Sequence, residues 1–315
     1  IEEMEPYGLR SWWNLRNDDI FVYRWGDPEY VRQFIANLPA GHTAGYYMGS
    51  DGYVWGREFI SRDPELSGQH EIIKHWYRYL LWGRLGYDNN LPDDFFVKLL
   101  EDHYDLEDGS RLYETWQTVS RIIPLVNRFH WRDWDHHWSV EGCMARPILG
   151  GFRDVFDFMD NRTLENSGMQ NPLEYARMST AGTGSEKITP VEVTDTLEMF
   201  AGKAMSGILE LEGKSNHPEY GAVLEDIRAQ AYLGLYYAQK IRAAVHLGLY
   251  QETGAEEEHE KALMAVESSA TYWNEYSTIS VRSYRPQMLA RTNRLDWEVL
   301  EDSINAEVES VKNLK

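Results

Sequence analysis

The chain has 315 residues, 43% of them apolar and 26% charged, which is the composition of a folded protein rather than a disordered one. Acidic residues number 51 against 31 basic ones, for a net charge of −20, and no basic face offsets them, so nucleic acid and anionic membrane surfaces are excluded as partners. No apolar run is long enough for membrane insertion, and the single Cys143 rules out an intramolecular disulfide or a thiolate zinc cluster.

The first 62 residues read as strand, helix, strand, strand. Ser11 to Arg16 is an aromatic strand that ends in Asn17-Asp18-Asp19, and Ile20 to Tyr23 is either its continuation or a loop. Asp27 then caps a helix opened by Pro28, whose apolar positions Tyr30, Val31, Phe34, Ile35 and Leu38 follow the helical spacing. Thr43 to Met48 is a second strand, closed by Gly49-Ser50-Asp51-Gly52, and Tyr53-Val54-Trp55 is a short third. A strand, a helix and another strand make a βαβ unit with the strands parallel. The polar tips after such strands form the functional face, and Asp18, Asp19 and Asp51 occupy them.

From Asp63 onward the period is helical, with helices expected over 68–86, 92–104 and 108–128. The stretch 129–189 reads as irregular and rich in glycine and small residues. Thr189-Pro190-Val191-Glu192 is a capping box that starts a helix ending near Gly213; another runs from Pro218 to about Leu249, and two more cover 255–278 and 296–312. The division that follows is 1–150 as a partial βα barrel segment carrying the site loops, 151–189 as a connecting segment, and 190–315 as a helical bundle. With Ile1 first and no signal pattern, the chain reads as processed or as a fragment, and its lone cysteine fits either a bacterial cytoplasm or a periplasm.

Chemistry-bearing residues concentrate in the same first segment. Aromatics make up 13% of the chain, and ten of the twelve tryptophans lie at or before Trp138. Trp12, Trp25, Tyr47 and Trp55 offer flat faces on which sugar rings stack, although a large aromatic core would use the same residues. Arg10, Arg16, Arg24, Arg32 and Arg57 all precede the first lysine, Lys74, and arginine without lysine points to bidentate recognition of carboxylates. Those carboxylates belong either to a substrate or to neighbours, as in a pairing of Arg24 with Asp27. Two carboxylates on adjacent strand tips are what glycosidic cleavage requires, and Asp18 or Asp19 with Asp51 or Glu58 could supply the pair.

A second cluster runs from His130 to Trp138, with His136 and His137 adjacent and Glu141 behind. Its spacing fits no zinc motif, so a polar aromatic loop lining a sugar cleft, with His136 in it, or plain packing is preferred to a metal. No phosphate loop, nucleophile elbow or cofactor motif is present.

The segments Asn14 to Asp19 and Gly45 to Phe59 resemble the later part of the α-glucuronidase-like bacterial glycoside hydrolases. The resemblance implies a (β/α)8 catalytic barrel followed by a mostly helical region, here with strand signals for only about three of the eight strands. It implies an acidic, uronate-containing poly- or oligosaccharide substrate, hydrolysis without metal or organic cofactor, and an N-terminal half or partner chain that completes the barrel. It carries acid and base roles to Asp19, Asp51 and Glu58, and uronate binding to Arg16, Arg24 and Arg57. The alternatives are a uronate lyase on an all-α toroid and a non-catalytic helical glycan-binding protein of an uptake system.

Overall fold

The computed structural model describes residues 8–15, 22–39, 41–48, 61–62, 71–132, 134–137, 139–289 and 292–314. β1 (Ser11–Leu15) and β2 (Thr43–Met48) are parallel neighbours, with Trp12 opposite Gly45, Trp13 opposite Tyr46 and Asn14 opposite Tyr47. α1 (Pro28–Ala36) connects them. The Asp27 side chain accepts from the Glu29 and Tyr30 amides, and Pro28 fills a first-turn position where no amide hydrogen is needed. The chain therefore opens with the expected βαβ order.

The two faces of this sheet differ. On one, the Tyr46 ring meets Phe34 and Trp82, and its hydroxyl donates to the Trp82 carbonyl. Alternation along the strands puts Trp12, Gly45 and Tyr47 on the other face. The Trp12 ring lies over Gly45, where a Cβ would come within 2.7 Å of it, so only glycine leaves room for that indole.

After β2 the described chain is helical: α2 (Glu71–Lys74), α3 (Trp76–Tyr87), α4 (Asp93–Tyr104), α5 (Ser110–Val119) and α6 (Ile122–Phe129). The helix expected over 108–128 is broken between α5 and α6. Pro124 has no amide hydrogen to give the Ser120 carbonyl, and the Trp25 indole nitrogen donates to that carbonyl instead, at 2.8 Å. The stretch read as irregular holds α7 (Trp134–His137), α8 (Val155–Met159) and α9 (Pro172–Thr180). Asn171 capping α9 just before Pro172 was a readable start signal.

The last part is a helical bundle of α10 (Pro190–Leu211), α11 (Tyr220–Thr253), α12 (Glu256–Ser283) and α13 (Trp297–Lys312), interrupted by a hairpin of β3 (Gln287–Leu289) with β4 (Asn293–Leu295). The Thr189–Glu192 capping box is formed in both directions. α11 is the central rod, packed along α10 and α12, with α9 and α8 against it. Its small residues let neighbours approach closely. Gly234, for one, faces the Ile122 side chain at a distance that a Cβ would bring to 2.7 Å. A continuous apolar core runs from Val22 to Val311. The fold is thus α/β at its start and mainly α thereafter, with no closed barrel among the described residues.

Candidate functional site

Residues 22–27, just ahead of α1, take their partners from the helical part of the chain. Val22 and Tyr23 donate their amides to one oxygen of Glu141, at 3.0 and 3.3 Å, and Glu141 is wholly buried. A buried carboxylate needs such donors, because its desolvation is otherwise uncompensated. The Tyr276 hydroxyl donates to the Glu141 carbonyl at 2.6 Å, and the Tyr23 hydroxyl pairs with Ser280 at 2.6 Å. These contacts attach the segment to α12.

Arg24 comes next, at 2% exposure. Its amide and one guanidinium nitrogen both donate to Asp226 of α11, at 3.0 and 2.7 Å, and its Nε donates to Glu219 at 2.9 Å. Burial works against the charge, but Asp226, with Tyr284 and Glu219, outweighs it and holds the guanidinium above its ordinary pKa. Tyr284 completes the ring by donating to Asp226, and the Lys74 ammonium stands 4.4 Å above the Tyr284 ring. Glu219 also meets His103 at 3.3 Å. Despite burial, its carboxyl is held below the usual range by His103 and Arg24. His103 in turn lies against Trp76, with ring centroids 4.0 Å apart.

Trp25, at 1% exposure, and Gly26 are fixed to Ser120, and Asp27 is paired with Arg121 at 3.2 Å. Residues 22–27 are therefore held by contacts to α11, α12 and the junction of α5 with α6. Arg24 and Trp25 were expected at the substrate. Their side chains are inside the protein, because the Arg24 guanidinium is committed to carboxylates of the helical part and the Trp25 indole replaces a missing helix bond. The pairing of Arg24 with Asp27 gives way to Asp226 and Glu219.

The remaining expectations divide. Trp12 and Tyr47 share the face of the sheet away from Tyr46, at 65% and 48% exposure. His136 is fully buried beside His130, Phe158 and Tyr237. Arg16, Asp19, Asp51, Trp55, Arg57 and Glu58 lie outside the described residues. Among the described residues no group of three or more His, Cys, Asp and Glu side chains is arranged to hold a metal ion, and no helix is long and apolar enough to cross a membrane. Glu219, Asp226, His103 and Tyr284 carried no signal in the sequence, since each sits on an ordinary-looking helix or helix end about 80 to 260 residues from Arg24.

No family model and no curated protein matches the sequence. Among solved structures the chain is similar to a GH138 enzyme targeting pectin rhamnogalacturonan II, with a TM-score of 0.83 and 15% sequence identity. The match covers 98% of this chain and 48% of that one, so this chain spans about half the length of its structural neighbour. At that identity the likeness establishes the fold.

Proposed function

We propose that this chain is the later part of a glycoside hydrolase acting on an acidic, uronate-containing polysaccharide of the pectin type. The likeness over 98% of the chain to an enzyme that targets pectin rhamnogalacturonan II carries this reading. The βαβ start supports it. Parallel sheets occur with both faces covered, and this one covers its Tyr46 face while leaving Trp12 and Tyr47 exposed. Further strands, from sequence outside this chain or from a partner chain, pair with the free edges of this two-stranded sheet and complete a barrel, with Trp12 and Tyr47 left open to substrate.

In this reading Asp19, Asp51 and Glu58 are the carboxylates from which acid and base are drawn. One protonates the leaving oxygen while the other activates water or attacks the anomeric carbon. Arg16 and Arg57 are the arginines left to hold the uronate carboxylate, because Arg24 is committed to Asp226. The role of Arg24 is to position: with Glu141 it fixes the backbone that follows Asp19.

The test is turnover of rhamnogalacturonan II and its acidic oligosaccharides by the intact gene product, read as released reducing ends. Asp51→Asn and Glu58→Gln are expected to lower kcat by roughly 100-fold or more while leaving oligosaccharide affinity largely intact. A product that binds these glycans without turnover, and whose binding ignores both substitutions, is a non-catalytic binder and refutes the proposal.

A further inference from the structure

Away from the β1–α1 connection, a cleft of about 370 Å3 opens between α1, α6 and α10, at the lower end of the sizes that hold small ligands. Tyr30, Gln33, Arg121, Leu125, Arg128 and Phe200 line it. Its charges are not equally committed. Asp27 caps α1 and accepts from Arg121 at 3.2 Å, while Glu29 accepts from Gln33 at 2.9 Å and lies 3.9 Å from Arg32. Arg128 has no carboxylate partner among the described residues; its guanidinium stands 5.4 Å from the centroid of the Tyr30 ring. Arg84, Arg162 and Arg285 likewise lack a carboxylate partner among the described residues, but of these arginines only Arg128 lines the cleft. A guanidinium held near an aromatic ring by cation–π attraction spends none of its N–H donors on it, and that fork matches a carboxylate. Phe200, Leu125 and Pro124 supply an apolar wall beside it.

We propose that this cleft is a second glycan subsite that binds one hexuronate residue. The carboxylate takes two hydrogen bonds from Arg128, and the apolar face of the pyranose lies against Phe200 and Leu125. Gln33 and Thr196 are placed to meet ring hydroxyls. The inference rests on the reading of this chain as acting on an acidic glycan, and it adds a holding site separate from the strand-tip carboxylates, suited to retaining a long acidic chain between cleavages.

The intact gene product is titrated with D-galacturonate, D-glucuronate, neutral D-galactose and acetate, followed by saturation-transfer NMR and calorimetry. At least one hexuronate is expected to bind, with galactose and acetate each on the order of tenfold weaker or more. Arg128→Gln should weaken the hexuronate by about tenfold or more without moving the melting temperature. Arg128→Lys should restore only part of the loss, because an ammonium cannot make the paired contact. The proposal is overturned by hexuronate affinity unchanged in Arg128→Gln, by acetate binding as tightly as hexuronate, or by no hexuronate binding at all. It is equally overturned if Asp51→Asn and Glu58→Gln abolish the binding while Arg128→Gln does not, which would assign the sugar to the strand tips. Turnover on the same preparations separates the two readings, since Arg128-dependent binding without any turnover removes the hydrolase and keeps the subsite.

Discussion

Arg24 and Asp226, 202 residues apart in the chain, meet at 2.7 Å with both side chains shut away from water. The contact ties residue 24, just ahead of α1, to the middle of the helical bundle. Removing one partner of a buried pair strands the other, at about 3–5 kcal/mol. Arg24→Met is therefore expected to lower unfolding free energy by that amount in urea titrations, because it takes the guanidinium from Asp226 and Glu219 together and leaves Asp226 only neutral donors. Glu219 sets the pH dependence. Its folded pKa is depressed, so its contribution is full above the unfolded carboxyl value of about 4.3 and is lost as pH falls through the lower folded value.

Lys240 of α11 and Glu307 of α13 form a second ion pair, with both side chains at zero exposure and the ammonium 4.6 Å from the Phe152 ring centroid. Burial pushes the Glu307 carboxyl up against the pull of Lys240, the sign of a pair that gains little over an apolar substitute. Either single change, Lys240→Met or Glu307→Leu, should cost about 3–5 kcal/mol. The double variant should recover most of that loss, and a double-mutant cycle in guanidinium unfolding measures it.

Much of this fold was legible because its signals are local. The Asp27–Pro28 and Thr189–Pro190–Glu192 caps mark helix starts whatever surrounds them, and the alternation around Tyr46 and Tyr47 marks a strand. The break at Ser120 was hidden because its cause is shared: Pro124 weakens the helix, but an indole from residue 25 makes the break stable. The site was less legible for the same reason. Spacing can nominate Trp12 and Tyr47 for an exposed face, yet Arg24 looks identical in sequence whether it meets a uronate or Asp226. Partners 195 and 202 residues away leave no trace in the residues next to it. His136 misled in the same way: a histidine-rich run suggests a polar loop, and here the rings of His130 and His136 pack 4.7 Å apart inside an aromatic core.

That histidine pair predicts acid sensitivity. Burial, with the positive charges of Arg153 and Lys240 nearby, holds both His130 and His136 well below their usual pKa, so both are neutral in the folded state. In the unfolded chain they titrate near about 6.5. Below that value the unfolded state binds more protons, so stability rises with pH and is lost on acidification, by about 1.4 kcal/mol per pH unit for each ring. Urea midpoints at pH 7.5, 6.5 and 5.5 should fall in that order, and His130→Phe with His136→Phe should flatten the slope.

Gly207 of α10 faces the Thr115 side chain of α5 so closely that a Cβ would overlap both its hydroxyl and its methyl group. Alanine would normally favour a helix by about 1 kcal/mol over glycine. At Gly207 overpacking should reverse the sign, for a net loss of about 1–3 kcal/mol. Gly207→Ala combined with Thr115→Ala should regain most of it, and thermal melts of the three variants decide the matter.

Trp12 tests the exposed face directly. As a side chain at 65% exposure on a two-stranded sheet, its loss in Trp12→Ala should change stability by no more than about 0.5 kcal/mol. As a stacking platform, its loss should weaken acidic oligosaccharide binding about three- to tenfold, the size of an aromatic contact beyond its area. Affinity and urea stability are measured on the same preparation of the intact gene product. A stability loss of about 3 kcal/mol or more, with affinity unchanged, would instead make Trp12 a packed core residue and not a stacking platform.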